Sequence, residues 1–222
     1  MQSRTARGTA IVNLLQLDPE ETVMAVVDTR DYETMRYLFF VTRNGVVKKT
    51  AFSAYGNIRQ NGLRAIKMRE GDELVRVVPM SGEIDVCLVT KHGRLMRFHP
   101  DEVREMGRVA SGVRGVKLKE GDQVVSCAVA RPDHELLVVS SDGHGKRTAF
   151  DAFNAKHRGG QGVRALKMKD ESSEVVRALT VLPDDEVMLI ATNGVIIRIP
   201  VEDVSVQGPH ASGTDMTRTP DA

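Results

Sequence analysis

The chain has 222 residues, 41% of them hydrophobic and 27% charged, enough to bury a sizeable core in one large domain or two small ones. Lys and Arg number 31 against 30 Asp and Glu, and the net charge of +1 excludes a polycation that binds nucleic acid by bulk charge, so any such function must come from how charge is arranged. No apolar run approaches the roughly 20 residues that span a bilayer, and Cys87 and Cys127 sit in apolar runs ("IDVCLVT", "VVSCAVA") that suit buried, reduced thiols in a cytoplasmic protein with no membrane partner.

Read from the N-terminus, the chain is a tandem repeat. A first copy opens at Gly8 with "GTAIVNLLQLDPEE", a small insertion out of register. The next three open at Gly62, Gly112 and Gly162 ("GLRAIKMREGDEL", "GVRGVKLKEGDQV", "GVRALKMKDESSEV"), spaced by 50 residues. A second glycine recurs in phase at Gly45, Gly93, Gly143 and Gly194, with steps of 48, 50 and 51. Within the second copy lie four short runs, "LRAIKMR", "ELVRVVP", "IDVCLVT" and "RLMRF", separated by "EGD", "SGE" and "HG". Gly and Asn tolerate the positive φ of tight turns, so this punctuation marks hairpins. Four strands in about 50 residues describe a propeller-type blade that neighbouring copies must cover. A helical solenoid needs longer, less β-branched runs.

The expected architecture is all-β, a propeller-like array of about four four-stranded blades over 1–207, with repeats near 8–61, 62–111, 112–161 and 162–207. Residues 208–222 would hold the start of a further repeat, at Gly213, and a tail. A double period overlies the single one: "TAFSAY" and "TAFDAF" in the first and third copies alternate with "FHPDEV" and "IPVEDV" in the second and fourth.

Charge follows the same period. Four residues after each turn glycine stands a cation: Lys49, Arg97, Arg147 and Arg198. Two after each opening glycine come Arg64, Arg114 and Arg164, and five and seven after it come Lys67 and Arg69, Lys117 and Lys119, Lys167 and Lys169. Side chains alternate along a strand, so Lys67 and Arg69 should share a face opposite Ile66 and Met68. The loops before the opening glycines add Arg4, Arg7, Arg59, Arg108, Lys156, His157 and Arg158, while acids gather in "DPEE", "EGDE", "EGDQ", "DESSE" and "PDDE". If those acidic turns point away, the chain carries a positive belt and a negative opposite side. Two explanations of the columns stand: charges that protect sheet edges, or regular cations for a row of phosphates. No recognition helix, zinc spacing among the scattered histidines, or aromatic set is available to read bases.

The strings "ARGTAIVNLLQL", "TRNGVVKKTAFSAYGNIRQNGLRAIKM", "LVTKHGRLMRF" and "RGVKLKEGDQVVS" resemble the C-terminal domain of the DNA gyrase A polypeptide from about Ser3 to Gly213, and "NIRQNGLRAIKM" looks more like gyrase than like topoisomerase IV. The resemblance implies a six-bladed β-pinwheel with strands exchanged between adjacent blades. It implies non-sequence-specific wrapping of duplex DNA around a basic rim, in support of ATP-dependent negative supercoiling with the rest of the gyrase A polypeptide and with the gyrase B polypeptide. The family's box motif, Q-[KR]-R-G-G-[KR]-G, belongs to a first blade expected upstream of Met1. Here Lys156, His157, Arg158, Gly159, Gly160, Gln161 and Gly162 look like a degenerate second copy, matching at Arg158, Gly159, Gly160 and Gly162. The resemblance places the catalytic tyrosine in an N-terminal region and the metal-binding carboxylates on another polypeptide, so Tyr32, Tyr37 and Tyr55 are expected to be structural. With no Walker-type loop, no cofactor is expected on this chain, ATP and Mg2+ being used elsewhere in the holoenzyme. The alternatives are a propeller that docks to a topoisomerase core without touching DNA, and a propeller enzyme, which would need a polar column at the axis.

Overall fold

The computed structural model describes Val23, Val26, residues 35–56 and residues 62–217. Arg4, Arg7, Tyr32 and Arg59 lie outside the described residues. The strands are β1 (Tyr37–Thr42), β2 (Val46–Ala51), β3 (Leu74–Met80), β4 (Val86–Thr90), β5 (Arg94–Phe98), β6 (Val113–Arg114), β7 (Val124–Val129), β8 (Glu135–Ser140), β9 (His144–Ala149), β10 (Val163–Arg164), β11 (Val175–Val181), β12 (Glu186–Ile190), β13 (Ile196–Pro200) and β14 (Thr214–Asp215). The described helices are short 3-10 turns, none long and apolar enough to cross a membrane.

The hairpins β1–β2, β4–β5, β8–β9 and β12–β13 form as their turn glycines require. Gly45, Gly93, Gly143 and Gly194 all have positive φ and donate their N–H three residues back, to Thr42, Thr90, Ser140 and Ala191, at 2.9–3.0 Å. The hairpins then assemble into antiparallel sheets in the orders β3-β1-β2-β6, β10-β5-β4-β7 and β11-β8-β9-β14, with β12-β13 as a two-stranded fourth. The chain is thus all-β and propeller-like. Each four-stranded sheet takes its hairpin from one copy, an edge strand from the next, and a two-residue strand from the copy after that. The edge strands β3, β7 and β11 lie against one another in sequence order, whereas β6, β10 and β14 form the far edges.

The opening run of each copy is shorter as a strand than its sequence suggests. Residues 62–69 belong to no sheet, and the equivalents shrink to β6, β10 and β14. The reason is local: after two residues the backbone rolls over the turn of the hairpin it docks on, so that Gly115 and Val116 both donate to the Gly45 carbonyl at 2.8 and 3.3 Å. Ala165 and Leu166 do the same to Gly93 at 2.8 and 3.2 Å. A carbonyl that accepts two successive N–H groups ends the ladder.

Both faces of each inner sheet are buried, which explains the continuous apolar runs "VCLVT" and "LLVVS". Leu88, Met96 and Phe98 pack against Phe39, Val41 and Val78 of the first sheet, while Cys87, Val89 and Leu95 pack against Leu136, Val138 and Phe150 of the third. A third core layer joins Leu137 and Val139 to Val201 and Val204. The two thiols therefore sit in different layers; burial pushes Cys127 up to about 12 and Cys87 higher still. β12 alternates between half-buried and exposed residues, leaving Met188 and Ile190 in solvent.

The opening glycines make the copy-to-copy contacts possible. A Cβ on Gly112 or Gly162 would overlap the carbonyls of Val47 or Leu95, and one on Gly213 would stand 2.6 Å from the Gly145 carbonyl; all three have positive φ. Gly162→Ala is expected to lose about 2 kcal/mol or more from strain and forced displacement of β5, read as a lowered urea midpoint. Gly62→Ala, with open space around the Cβ, should lose less, since only its positive φ is offended. Equal losses would refute the close-approach argument.

Candidate nucleic-acid interface

The far edges of the sheets carry segments from successive copies that are hydrogen-bonded to one another. Lys67 donates its N–H to Ala110 at 3.2 Å, Lys117 to Gly160 at 2.8 Å, and Lys167 to Ala211 at 3.1 Å. Gly159 also donates to Gly115 at 2.6 Å. These stitches join 62–69, 108–119, 158–169 and 208–217 into one rim.

On this rim Arg64, Lys67, Arg69, Arg114, Lys117, Lys119, Arg164, Lys167 and Lys169 are all exposed. Among the described residues none of them forms an ion pair with a carboxylate within 4 Å. Arg69 makes one contact, to the Gly112 carbonyl at 3.3 Å. The alternation survives outside any strand: Val116 and Leu166 are buried while Lys117 and Lys167 point to solvent. Ile66 and Met68, by contrast, are only partly covered or exposed.

The column after the turn glycines has a different environment. Arg97 pairs with Asp85 at 2.8 Å and donates to the Phe150 and Phe153 carbonyls at 2.7 and 3.1 Å. Arg147 pairs with Glu135 at 2.7 Å and donates to Val204 and Glu202 at 2.7 and 3.1 Å. Buried Lys49 reaches Asp101 at 3.1 Å and lies over the Tyr37 ring, and Arg198 pairs with Glu186. The hydrogen bond from Lys49 holds the Asp101 carboxyl below its usual range. Each of Lys49, Arg97 and Arg147 straps its sheet to the 3-10 turn of the next, a structural use of charge.

Two of the acidic turns, "EGDE" and "EGDQ", are not segregated on a remote side, while "DPEE" lies outside the described residues. Asp72 accepts the N–H groups of Asn44 and Glu73 at 2.9 Å, and Asp122 those of His92 and Gln123 at 3.0 and 2.9 Å. They brace the same hairpin turns that meet the rim at Gly45 and Gly93. The cleft along the inner strands holds Arg76, Arg131, His134 and Asp185, single residues rather than a repeated polar column. Tyr55 donates its hydroxyl to Ala65 at 3.2 Å, and burial raises it above the usual phenol range.

Two lysines that the sequence does not single out lie under the rim. Lys48 is fully buried and donates to the carbonyls of Ala65 and Arg108 at 2.5 and 2.8 Å; Lys146, equally buried, donates to Gly208. Burial lowers both ammoniums to about 8, and the Arg108 guanidinium adds to the effect at Lys48. The equivalent residue of the second sheet is Met96. In sequence these lysines are neighbours of the Lys49 and Arg147 column, and only the double period distinguishes their copies.

The loop 156–162 lies where the rim meets the second sheet. Lys156 donates its N–H to Arg97 at 2.9 Å and exposes its side chain. Arg158 is committed: its Nε donates to the Glu102 carbonyl and its Nη1 to the Arg114 carbonyl, both at 2.9 Å. Arg94 holds the Gln161 and Gly162 carbonyls at 2.8 and 2.7 Å. Gly159 has positive φ, and Gly160 lies over Met96.

Residues 36–79, 85–131, 134–182 and 185–219 match the family described as DNA gyrase C-terminal domain, beta-propeller. The chain is 51% identical over 215 residues to the DNA gyrase A polypeptide of Halalkalibacterium halodurans, an alignment covering 97% of this chain and 26% of that protein. It is similar to the solved C-terminal domain of DNA topoisomerase IV at a TM-score of 0.86 and 30% identity, covering 93% of this chain and 65% of that one. Against the DNA gyrase A C-terminal domain the TM-score is 0.82 and the identity 28%, covering 95% and 71%. The chain spans about a quarter of the length of the full gyrase polypeptide it matches.

The buried lysines give the fold a pH signature. Their folded values, about 8, lie below the ordinary lysine value of 10.5. The unfolded chain thus holds more protons between those limits, and stability rises with pH from 8 to 10.5. In the double variant Lys48→Met/Lys146→Met, the rise in urea midpoint between about pH 8 and about pH 10 is expected to shrink. An undiminished rise would assign the titration to other groups.

Proposed function

The chain belongs to the DNA gyrase C-terminal domain family, and on that premise we propose that it binds duplex DNA without sequence preference and bends it along the rim. The observation that carries this reading is the set of exposed cations Arg64, Lys67, Arg69, Arg114, Lys117, Lys119, Arg164, Lys167 and Lys169. They recur on stitched segments and are free of carboxylate partners among the described residues. Arg108, half-buried, lies on one of these segments, and exposed Lys156 just before another. Lys49, Arg97 and Arg147 drop out of the proposed interface because their charges are spent within the fold, and Arg198, though exposed, is paired with Glu186. Within a gyrase, the bent segment would be presented to the rest of the gyrase A polypeptide and to its gyrase B partner, which would supply strand cleavage and ATP chemistry for negative supercoiling.

The energetics permit it. Bending 20–30 bp through 40–90° costs on the order of 1–6 kcal/mol. Each neutralised phosphate contributes about 0.9 to the slope of log K against log salt. Regular backbone contacts hold a duplex in place and carry no base information, which suits lysines and arginines spaced by the repeat.

Gel-shift titrations with random-sequence duplex at two salt concentrations test the reading. Affinity should fall steeply with salt and hardly change with sequence, and Arg64→Ala/Arg114→Ala/Arg164→Ala should flatten the slope by roughly 3 × 0.9. An unchanged slope would remove that column from the interface. Absence of duplex binding, with capture of the topoisomerase core instead, would favour a docking role.

A further inference from the structure

Three rim loops sit on three successive sheets in the same way, and one of them is anchored with the opposite charge. Met106 donates its N–H to Lys49 at 2.8 Å, Lys156 to Arg97 at 2.9 Å, and Gln207 to Arg147 at 2.8 Å, so each loop hangs from the same point of its sheet. Under the first and third loops a lysine ammonium, Lys48 or Lys146, holds the carbonyl of Arg108 or Gly208. The third residue of the facing 3-10 turn there is Ala54 or Ala152. Under the middle loop the lysine is replaced by apolar Met96, and the third residue of the turn is Glu102.

Glu102 reaches into the loop. Its Oε2 accepts the Arg158 N–H at 2.7 Å, and its Oε1 lies 3.2 Å from His157 Nδ1. The Arg158 side chain crosses the same turn to donate to the Glu102 carbonyl. A main-chain N–H and an imidazole converge on the two carboxylate oxygens, while the guanidinium of the same loop holds the main-chain carbonyl of Glu102; together they make a cradle for an oxyanion. The neighbouring loops put their main-chain carbonyls on lysines and receive no carboxylate from the facing turn.

We infer that the 156–160 loop contains a phosphate-binding site occupied in this chain by its own Glu102, which makes it the masked member of the rim. The inference deepens the DNA-binding reading of the rim and rests on it for the source of the phosphate. A carboxylate is about the right size and charge to stand where a phosphodiester oxygen pair would, and its negative charge also cancels part of the field of Lys156 and Arg158. The cost of displacement falls on any phosphate that competes for the loop, so this segment contributes less to binding than the unmasked segments beside it.

The test is Glu102→Gln, which keeps an acceptor for the Arg158 N–H, and with it the seat of the loop, while removing the charge. Asp151→Asn, on the exposed 3-10 turn of the next sheet, removes an equal charge elsewhere. Titration with inorganic phosphate, followed by the NMR signals of the Arg158 amide and the His157 ring, should saturate at millimolar phosphate in Glu102→Gln and not in the unsubstituted chain or Asp151→Asn. Duplex affinity of Glu102→Gln at low salt should rise about 3- to 10-fold, with the salt slope steeper by about 0.9. Phosphate binding without duplex binding by any of the three proteins supports the masked site and sinks the rim reading instead. The inference is overturned if Glu102→Gln shows no new phosphate binding, or if Asp151→Asn gains as much duplex affinity.

Discussion

The carbonyls of Val47, Leu95 and Gly145 each have a glycine of a later copy pressed against them, closer than any side chain would allow. That approach lets a two-residue strand dock on the far edge of a sheet to which its own copy does not otherwise belong. It also delivers the following residues, the basic ones, to the rim at the same height on every sheet. Replace the contact with a bulkier one and the rim segments lose both their attachment and their common spacing. The arginine and lysine straps that reach the next 3-10 turn act at the same joint from the other side. Arg97 and Arg147 donate to carbonyls of the next 3-10 turn, at the cost of two largely desolvated ion pairs.

Charge therefore has two uses in this fold, distinguished by one residue of register. Lys48 and Lys49 are adjacent in sequence and point to opposite faces of β2, one under the rim and the other toward the next sheet. Neither is available to a ligand. Of the rim cations, Arg114 and Arg164 sit in the two-residue strands β6 and β10, and the others lie where the chain is out of the ladder and side chains face solvent. A nearly neutral protein can carry these free cations because several of its acids, among them Asp72, Asp122, Asp85 and Glu135, are committed to turns and straps.

Much of this is legible from the residues alone. The 50-residue period, the hairpin glycines and the continuous apolar runs identify stacked antiparallel sheets, since a turn glycine and a run buried on both faces leave patterns that require no partner to interpret. What is not legible depends on which copy meets which. The runs opening at Gly62, Gly112 and Gly162 read as full strands because apolar and basic residues alternate, yet the alternation persists in chain with two residues of ladder at most, and none in the run from Gly62. Arg97 and Lys117 look alike as periodic cations, and only the position of Asp85 separates a strap from a free side chain. The inversion at Glu102 shows in sequence as nothing more than "PDEV" in place of "FDAF".

Exchange over three copies also sets the order in which the molecule can be made. The β1–β2 hairpin is complete at Ala51, but its sheet is finished only when Val113 and Arg114 arrive. At a ribosomal rate of roughly 5–20 residues per second, that hairpin waits on the order of several seconds with an unsatisfied edge. Each new sheet inherits the same delay, so nascent chains emerging side by side from one message would present matching open edges until the later copies arrive.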